Sequence, residues 1–221
     1  MPSSLAPAAT ETKTGIALSE FVYAQLRREI LSGVLRPNQA LVEADLAERL
    51  MVSRMPVREG LLRLANDGLV ESKRRRWTVH EHTQDEVRWI YEVRAALEAE
   101  AASLAALRAS EEQRAVILET GQPHLFAKAP TRDIRFDANE TFHGHIIAAA
   151  ANPRIADTLA RNVTYFNFRF ALFSSQVELD ESGEQHLEIA QAIAAANVER
   201  ARQVAHDHVM HALRIIERAV E

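Results

Sequence analysis

The chain has 221 residues, 47% hydrophobic and 26% charged. This is a soluble globular composition, long enough for one large or two small domains. It has no cysteine, which excludes disulfides and thiolate metal sites and fits a reducing cytoplasm. No apolar run approaches the ~18 residues that span a bilayer, so no membrane partner is expected. The net charge of −5 hides a split: residues 1–80 carry 12 Lys and Arg against 9 Asp and Glu, and residues 81–221 carry 14 against 22. Eight of the nine histidines also lie after position 80, so two parts with different partners are expected.

The N-terminus, MPSSLAPAATETKTG, has neither the basic start nor the apolar stretch of a signal peptide, and residues 1–14 read as a loose tail. From Leu18 to Leu31 the spacing is helical, with Leu18, Val22, Leu26 and Ile30 on one stripe. SGVLRPNQ breaks that helix at Gly33 and Pro37. Glu43 to Leu50 is a short helix with Leu46, Ala47 and Leu50 inward. After a tight MVS connection a third helix opens at Ser53, a plausible N-cap, with Pro56 tolerated in its first turn. It runs to about Asn66 and offers Val57, Leu61, Leu62 and Leu64 to the core. LVES and WTVHE alternate like short strands joined by KRRR. Three helices followed by a β-hairpin make a winged helix-turn-helix over residues 15–80.

In that motif the last helix enters the DNA major groove by its N-terminal end. Arg54 and Arg58 stand there, four residues apart and so on one face, and Ser53 can reach a phosphate. An arginine forks onto guanine O6 and N7, the commonest base-specific contact. Arg49 and Arg63 flank them, and Lys73, Arg74, Arg75 and Arg76 make a basic hairpin tip suited to phosphate or minor-groove contact. A solvated basic face would not explain why arginines gather at a helix start, where the macrodipole disfavours cations.

LVEADLAERLMVSRMPVREGLLRLANDGLVE resembles the winged-helix reader of GntR-type transcriptional regulators. Three departures stand out: Met51 where that family has a turn glycine, Gly60 for a usual alanine, and Arg76 for a wing-tip glycine. A left-handed Met51 costs roughly 1–2 kcal/mol.

After a linker at 81–84, residues 85–221 read as an all-α bundle of about six helices, so the chain is mainly α. Val87, Ile90, Tyr91, Val93, Leu97 and Leu104 give a helix over Thr83–Leu107. Ser110 with Gln113 suggests a capping box. GQPHLFAKAP reads as a loop with a short turn, Thr131–Ala150 as a helix, and Asn152-Pro153 as the start of another that runs to about Ser175. ELDESGE reads as a connection, followed by helices over Glu184–Ala196 and Val198–Val220.

Asn139 and His143 lie one helical turn apart on one face. His186 and His208 each lie 11 residues from Asn197, on opposite sides. A sharp turn there sets both at one height, about 16 Å along an antiparallel hairpin at 1.5 Å per residue. Three imidazoles and an amide oxygen can then converge inside the bundle, as metal ligands on facing helices do. Zn2+ suits this set best, with Ni2+ or Mn2+ as alternatives.

EVRAALE, NETFHGHIIAAAANPRI and HLEIAQAIAAANVERARQVAHDH resemble the FCD effector domain of the FadR branch of the same family. The resemblance implies a homodimeric bacterial regulator, a repressor by the commonest pattern, that binds a palindromic operator and responds to a small metabolite, often a carboxylate. It places Asn139, His143, His186 and His208 as metal ligands, with Asn139 where the family has Asp. A neutral amide there leaves the cation's charge uncompensated, which weakens metal binding and favours an anionic effector. Arg94 in the matched segment can fork onto an effector carboxylate or pair with Glu98 one turn on, and Arg169 is a second pocket candidate. The competing readings are a metal-dependent hydrolase fused to a DNA-binding arm and a regulator with a metal-free pocket. A three-histidine site with an open position resembles catalytic zinc, but no HExxH motif and no well-spaced general base accompany it, so the chain is read as a non-enzyme.

Overall fold

A computed structural model describes residues 8–73, 76–162 and 175–220. The chain divides into two compact units, 1–81 and 82–221.

In the first unit α1 (Ala8–Leu31), α2 (Glu43–Leu50) and α3 (Arg54–Asn66) pack with a small antiparallel sheet. The helix begins within the stretch expected to be a loose tail. Val22, Leu26 and Ile30 of α1 are fully buried against Val57, Leu61 and Leu64 of α3, and each such side chain is worth about 1.5–3 kcal/mol. Leu18 and Leu62, expected in this core, are 37% and 54% exposed. Leu62 lies about 100° around the helix from Leu61, which points it away from α1. The glycine at 60 permits close packing, because a Cβ there would stand 2.9 Å from Val22 Cγ1.

Met51 ends α2 in the left-handed region, at φ 54° and ψ 42°, and its amide closes back on α2. It is 92% exposed. Met51 thus holds a backbone shape that a glycine would adopt without steric cost. The wing is β2 (Val70–Lys73) against β3 (Arg76–Val79), in register from Val70↔Val79 to Lys73↔Arg76. A third strand, β1 (Ala40–Leu41), pairs with Thr78 and Trp77 of β3. Sequence reading missed it because two residues carry no alternation. It forms because Asn38 takes a positive φ of 62° and donates its amide to the Val79 carbonyl at 3.0 Å.

The second unit holds seven helices among the described residues: α4 (Gln84–Arg108), α5 (Glu111–Thr120), α6 (Pro123–Ala127), α7 (Arg132–Ala149), α8 (Pro153–Arg161), α9 (Gln176–Ala194) and α10 (Val198–Val220). Capping boxes start α4 at Thr83 and α5 at Ser110. The loop expected around residues 121–130 contains the short helix α6. The helix expected to run from 153 to 175 ends at Arg161, and residues 163–174 lie outside the described set.

ELDESGE is not a connection but the first half of α9. Ser175 and Glu178 form the capping box that starts it, so a polar stretch read as loop is helix-start chemistry. Its glycine, Gly183, marks a close contact: a Cβ there would fall 3.1 Å from Pro123 Cα of α6.

Two apolar clusters fill this unit. One joins Ala101, Ala102, Ala105 and Ala106 of α4 to Phe142, Ile146, Ile189, Ile193 and Val204. The other joins Val87 and Tyr91 of α4 to Phe126, Leu179, Val209, Leu213 and Ile216. The periodicity of large aliphatic residues does not reveal this alanine face, because a helix rich in alanine shows little contrast between its sides. Val93, one of the apolar residues whose spacing gave this helix, is 44% exposed. Between the two clusters along α4, α9 and α10 sit the buried polar residues Glu98, Ser182, His186 and His208.

Candidate nucleic-acid interface and metal centre

The start of α3 is bare and basic. Ser53 is its N-cap residue in extended geometry, and its side chain makes no capping hydrogen bond. The first turn holds no acidic residue. Ser53, Arg54 and Arg58 are exposed, and among the described residues no ion pair ties down either arginine. Two cations and unsatisfied backbone N–H groups thus face outward together, the arrangement that receives a phosphate and a base edge.

The flanking cations are placed differently. Arg49 forks onto Glu29 at 2.9 and 2.7 Å, fastening α2 to α1. Arg63 pairs with Glu20 at 2.5 Å and lies 4.1 Å over the Tyr23 ring; Tyr23 in turn donates to Asp67 at 2.6 Å. Both side chains hold the unit together, so a DNA contact from either has to compete with its partner carboxylate. Arg76 opens β3 and is exposed. Lys73 closes β2, while Arg74 and Arg75 lie outside the described residues, as does the effector candidate Arg169.

In the second unit the turn between α9 and α10 is as sharp as the histidine spacing requires. Ala196 takes φ 52°. The Ala196 and Asn197 amides donate to the Ile193 and Ala192 carbonyls at 3.0 and 2.9 Å, and Asn197 Oδ1 accepts from the Arg200 amide at 3.1 Å. The two helices run back to back, and His186 Nε2 comes to 3.2 Å from His208 Nε2. His143 of α7 joins them, its ring centroid 5.2 Å from His186 and 5.3 Å from His208. One nitrogen from each of the three lies within 4.8 Å of the others.

The cluster is enclosed. His186 and His208 are 2% and 6% exposed, and Phe142 and Phe126 pack on His186 at 4.6 and 4.9 Å. Burial, followed by the neighbouring imidazoles, pushes the His186 pKa well below its ordinary value. Burial, then His143, pushes His208 down to about 3. Both rings are therefore neutral near pH 7 and carry lone pairs, the form a metal takes.

Ligands 2.0–2.1 Å from a tetrahedral or octahedral cation stand about 2.9–3.4 Å apart, which brackets the 3.2 Å between the two Nε2 atoms. The His186–His208 pair therefore fits a shared divalent cation, and His143, with a nitrogen within 4.8 Å of theirs, stands near enough to join them by a small inward shift. Asn139, one turn before His143, lines the same cavity as His143 and His208. That cavity encloses about 40 Å3, room for roughly three waters or a very small anion.

Arg94 adopts the second of its two expected roles. Its Nε and Nη2 both reach Glu98 Oε1, at 3.0 and 2.9 Å, although it also lines the cavity. Burial alone would raise the Glu98 pKa, but Arg94 and then His143 outweigh it and hold the carboxyl well below the usual range. The other Glu98 oxygen lies 3.0 Å from His143 Nδ1. Sequence reading had treated Glu98 only as a partner for Arg94.

It also missed Arg135 and Ser182 on the cavity wall and Gln185, whose Oε1 lies 3.0 Å from His208 Nδ1. Arg135 had a legible signal, since it precedes Asn139 and His143 at four-residue steps. Gln185 had none, because its partner is 23 residues away across the hairpin.

The profile of the bacterial regulatory proteins of the gntR family matches residues 18–79, and that of the FCD domain matches residues 89–211. A Paenarthrobacter nicotinovorans protein named "Probable D-xylose utilization operon transcriptional repressor" is 31% identical over 194 residues, covering 82% of this chain and 80% of its own. The transcriptional repressor GlaR of Escherichia coli is 26% identical over 213 residues, covering 90% of this chain and 95% of its own. The structure of E. coli McbR/YncC matches with a TM-score of 0.80 at 23% identity, over 92% of this chain and 99% of that one, a likeness of fold.

Proposed function

Because the chain belongs to the GntR family of bacterial regulatory proteins and carries an FCD domain, and is thus a transcriptional regulator rather than an enzyme, we propose that it is a metabolite-responsive repressor. It binds a palindromic operator as a homodimer through Ser53, Arg54 and Arg58, with the wing at Lys73–Arg76 on the flanking backbone. One winged helix covers too little DNA for a genomic address, and a two-fold dimer doubles the site. In the helical unit His143, His186 and His208, with Asn139 completing the set, hold one divalent cation, Zn2+ by ligand type. A small anionic effector, a carboxylate in this reading, fills the open positions from the cavity.

The observation that carries the reading is the convergence of three imidazoles, two of them deeply buried, with a nitrogen of each within 4.8 Å of the others beside a cavity. The buried Ser182 Oγ on the cavity wall has no hydrogen-bond partner among the described residues, which favours a ligand with a polar group to offer it. A bound cation would supply positive charge that draws the anion in. Asn139 adds no compensating charge, Ser182 can fix the anion's orientation, and Phe126 and Tyr91 exclude water around it.

The test is elemental analysis of purified protein, followed by calorimetry of Zn2+ and of a panel of small carboxylates, and operator binding with and without each carboxylate. The reading expects about one metal per chain and a carboxylate whose binding requires it and shifts operator affinity. A metal-free protein that takes up no added Zn2+ overturns the ligand set.

A further inference from the structure

We propose that Glu98, held by Arg94, and Gln185 act as positioning residues that fix the tautomers of His143 and His208, so that both present bare Nε2 lone pairs for a cation. This rests on the metal-centre reading. A neutral imidazole has one N–H and one lone pair, and only the nitrogen with the lone pair can ligate. Which nitrogen that is depends on what the other one meets.

His143 Nδ1 meets a carboxylate oxygen, Glu98 Oε2, at 3.0 Å. A carboxylate only accepts, so in a neutral ring this approach favours the proton on Nδ1 and a bare Nε2. His208 Nδ1 meets Gln185 Oε1 at 3.0 Å, and with that oxygen facing the ring the same assignment follows. The two outer partners come from different helices, α4 and α9, yet impose the same tautomer. Carboxylate–histidine and amide–histidine pairs of this kind orient metal-bound rings.

Arg94 explains why Glu98 can serve. Both Arg94 contacts to Glu98 fall on Oε1, and the Tyr91 ring 4.8 Å from the guanidinium confines it. Oε2 is left toward His143 as a buried acceptor without an aligned hydrogen bond. A cation drawing His143 inward would give that oxygen a donor whose N–H is more polarised. The arginine thus acts two steps away from the metal, through Glu98 and His143.

The third ring is assigned by difference. Its Nε2 lies 3.2 Å from the bare Nε2 of His208, so in the cation-free chain His186 carries its proton on Nε2 and donates it there. Binding a cation by Nε2 of all three rings then requires one change only, the His186 proton moving to Nδ1.

The experiment uses full-length, chelator-treated protein with 15N-labelled histidine, read by long-range 1H–15N spectra at about pH 7.5, above the ordinary imidazole pKa of about 6.5. His143 and His208 are expected as Nδ1–H tautomers and His186 as Nε2–H. Gln185→Leu should release His208 to the Nε2–H form and weaken Co2+ binding about 10–100-fold, with an altered visible Co2+ spectrum. Gln185→Glu, which keeps an acceptor oxygen, should restore both. Arg94→Met/Glu98→Met should do to His143 what Gln185→Leu does to His208; if that protein does not fold, the Gln185 pair decides. Finding His143 and His208 as Nε2–H in the wild type, or unchanged tautomer and Co2+ affinity in Gln185→Leu, overturns the proposal. Wild type that binds no Co2+ but shows the expected tautomers overturns the metal-centre reading and leaves the positioning assignment standing.

Discussion

The helical unit should be acid-labile in its metal-free form well above the pH at which carboxylates protonate. The unfolded chain binds a proton at each histidine near pH 6.5, whereas the folded chain holds His208 down to about 3 and His186 well below its ordinary value. A folded pKa below the unfolded one contributes stability that is complete above about pH 6.5 and lost as pH falls toward the folded pKa. At pH 5 the loss amounts to about 2 kcal/mol for His208 relative to pH 7, and His186, depressed in the same direction, adds to it. Both rings are almost wholly buried, so solvent screening does not reduce this. Even the His208 part, about 2 kcal/mol, is a sizeable share of the ~5–15 kcal/mol that holds a domain folded. Glu98 adds little in this window, because its unfolded pKa lies near 4.5. The assay is urea unfolding of chelator-treated protein at the two pH values, followed by Trp89 fluorescence in a Trp77→Phe background so that only the helical unit reports. His186→Phe, which keeps a ring between Phe126 and Phe142, should reduce the pH dependence. Equal stability at pH 7 and pH 5, or a His186→Phe protein with undiminished dependence, refutes the claim that these rings are buried neutral.

Arg54→Ala and Arg58→Ala should each cost about 1–3 kcal/mol of operator binding and relax sequence preference. Arg63→Ala should show more in thermal stability than in DNA affinity, since its guanidinium is occupied by Glu20 and Tyr23; gel-shift titrations on operator and scrambled DNA, paired with melting curves, separate the two. Met51→Gly should stabilise the N-terminal unit by about 0.5–1 kcal/mol in denaturant titrations, because it relieves a left-handed φ of 54° at a side chain 92% exposed and gives back part of the gain as unfolded-chain entropy. Asn139→Asp should tighten Zn2+ and weaken an anionic effector in calorimetry, because a full charge at contact distance strengthens the first attraction and partly cancels the second.

What the sequence determined by itself is what depends on short-range spacing. The arginines one turn apart at the start of α3 share a face whatever surrounds them. The equal spacing of His186 and His208 about Asn197 sets both at one height once the chain turns there, and the left-handed Ala196 and the Asn197 cap make that turn. Helix periodicity likewise placed α1, α3, α4, α7 and α10, since 3.6-residue repetition is written locally.

The tertiary structure decided what depends on who packs against whom. ELDESGE reads as loop by composition, yet Ser175 and Glu178 cap α9 and Gly183 lets α6 approach it. Two-residue β1 exists only because β3 is there to pair with it. Arg49 and Arg63 look like DNA contacts in a linear string but face Glu29 and Glu20 across helix contacts. Glu98 and Gln185 reach their histidines from other helices, at separations no local period encodes. A side chain's distance along the chain says which face it shares. Only packing says which charge, ring or lone pair stands opposite, and in a buried site that partner sets its protonation and its chemistry.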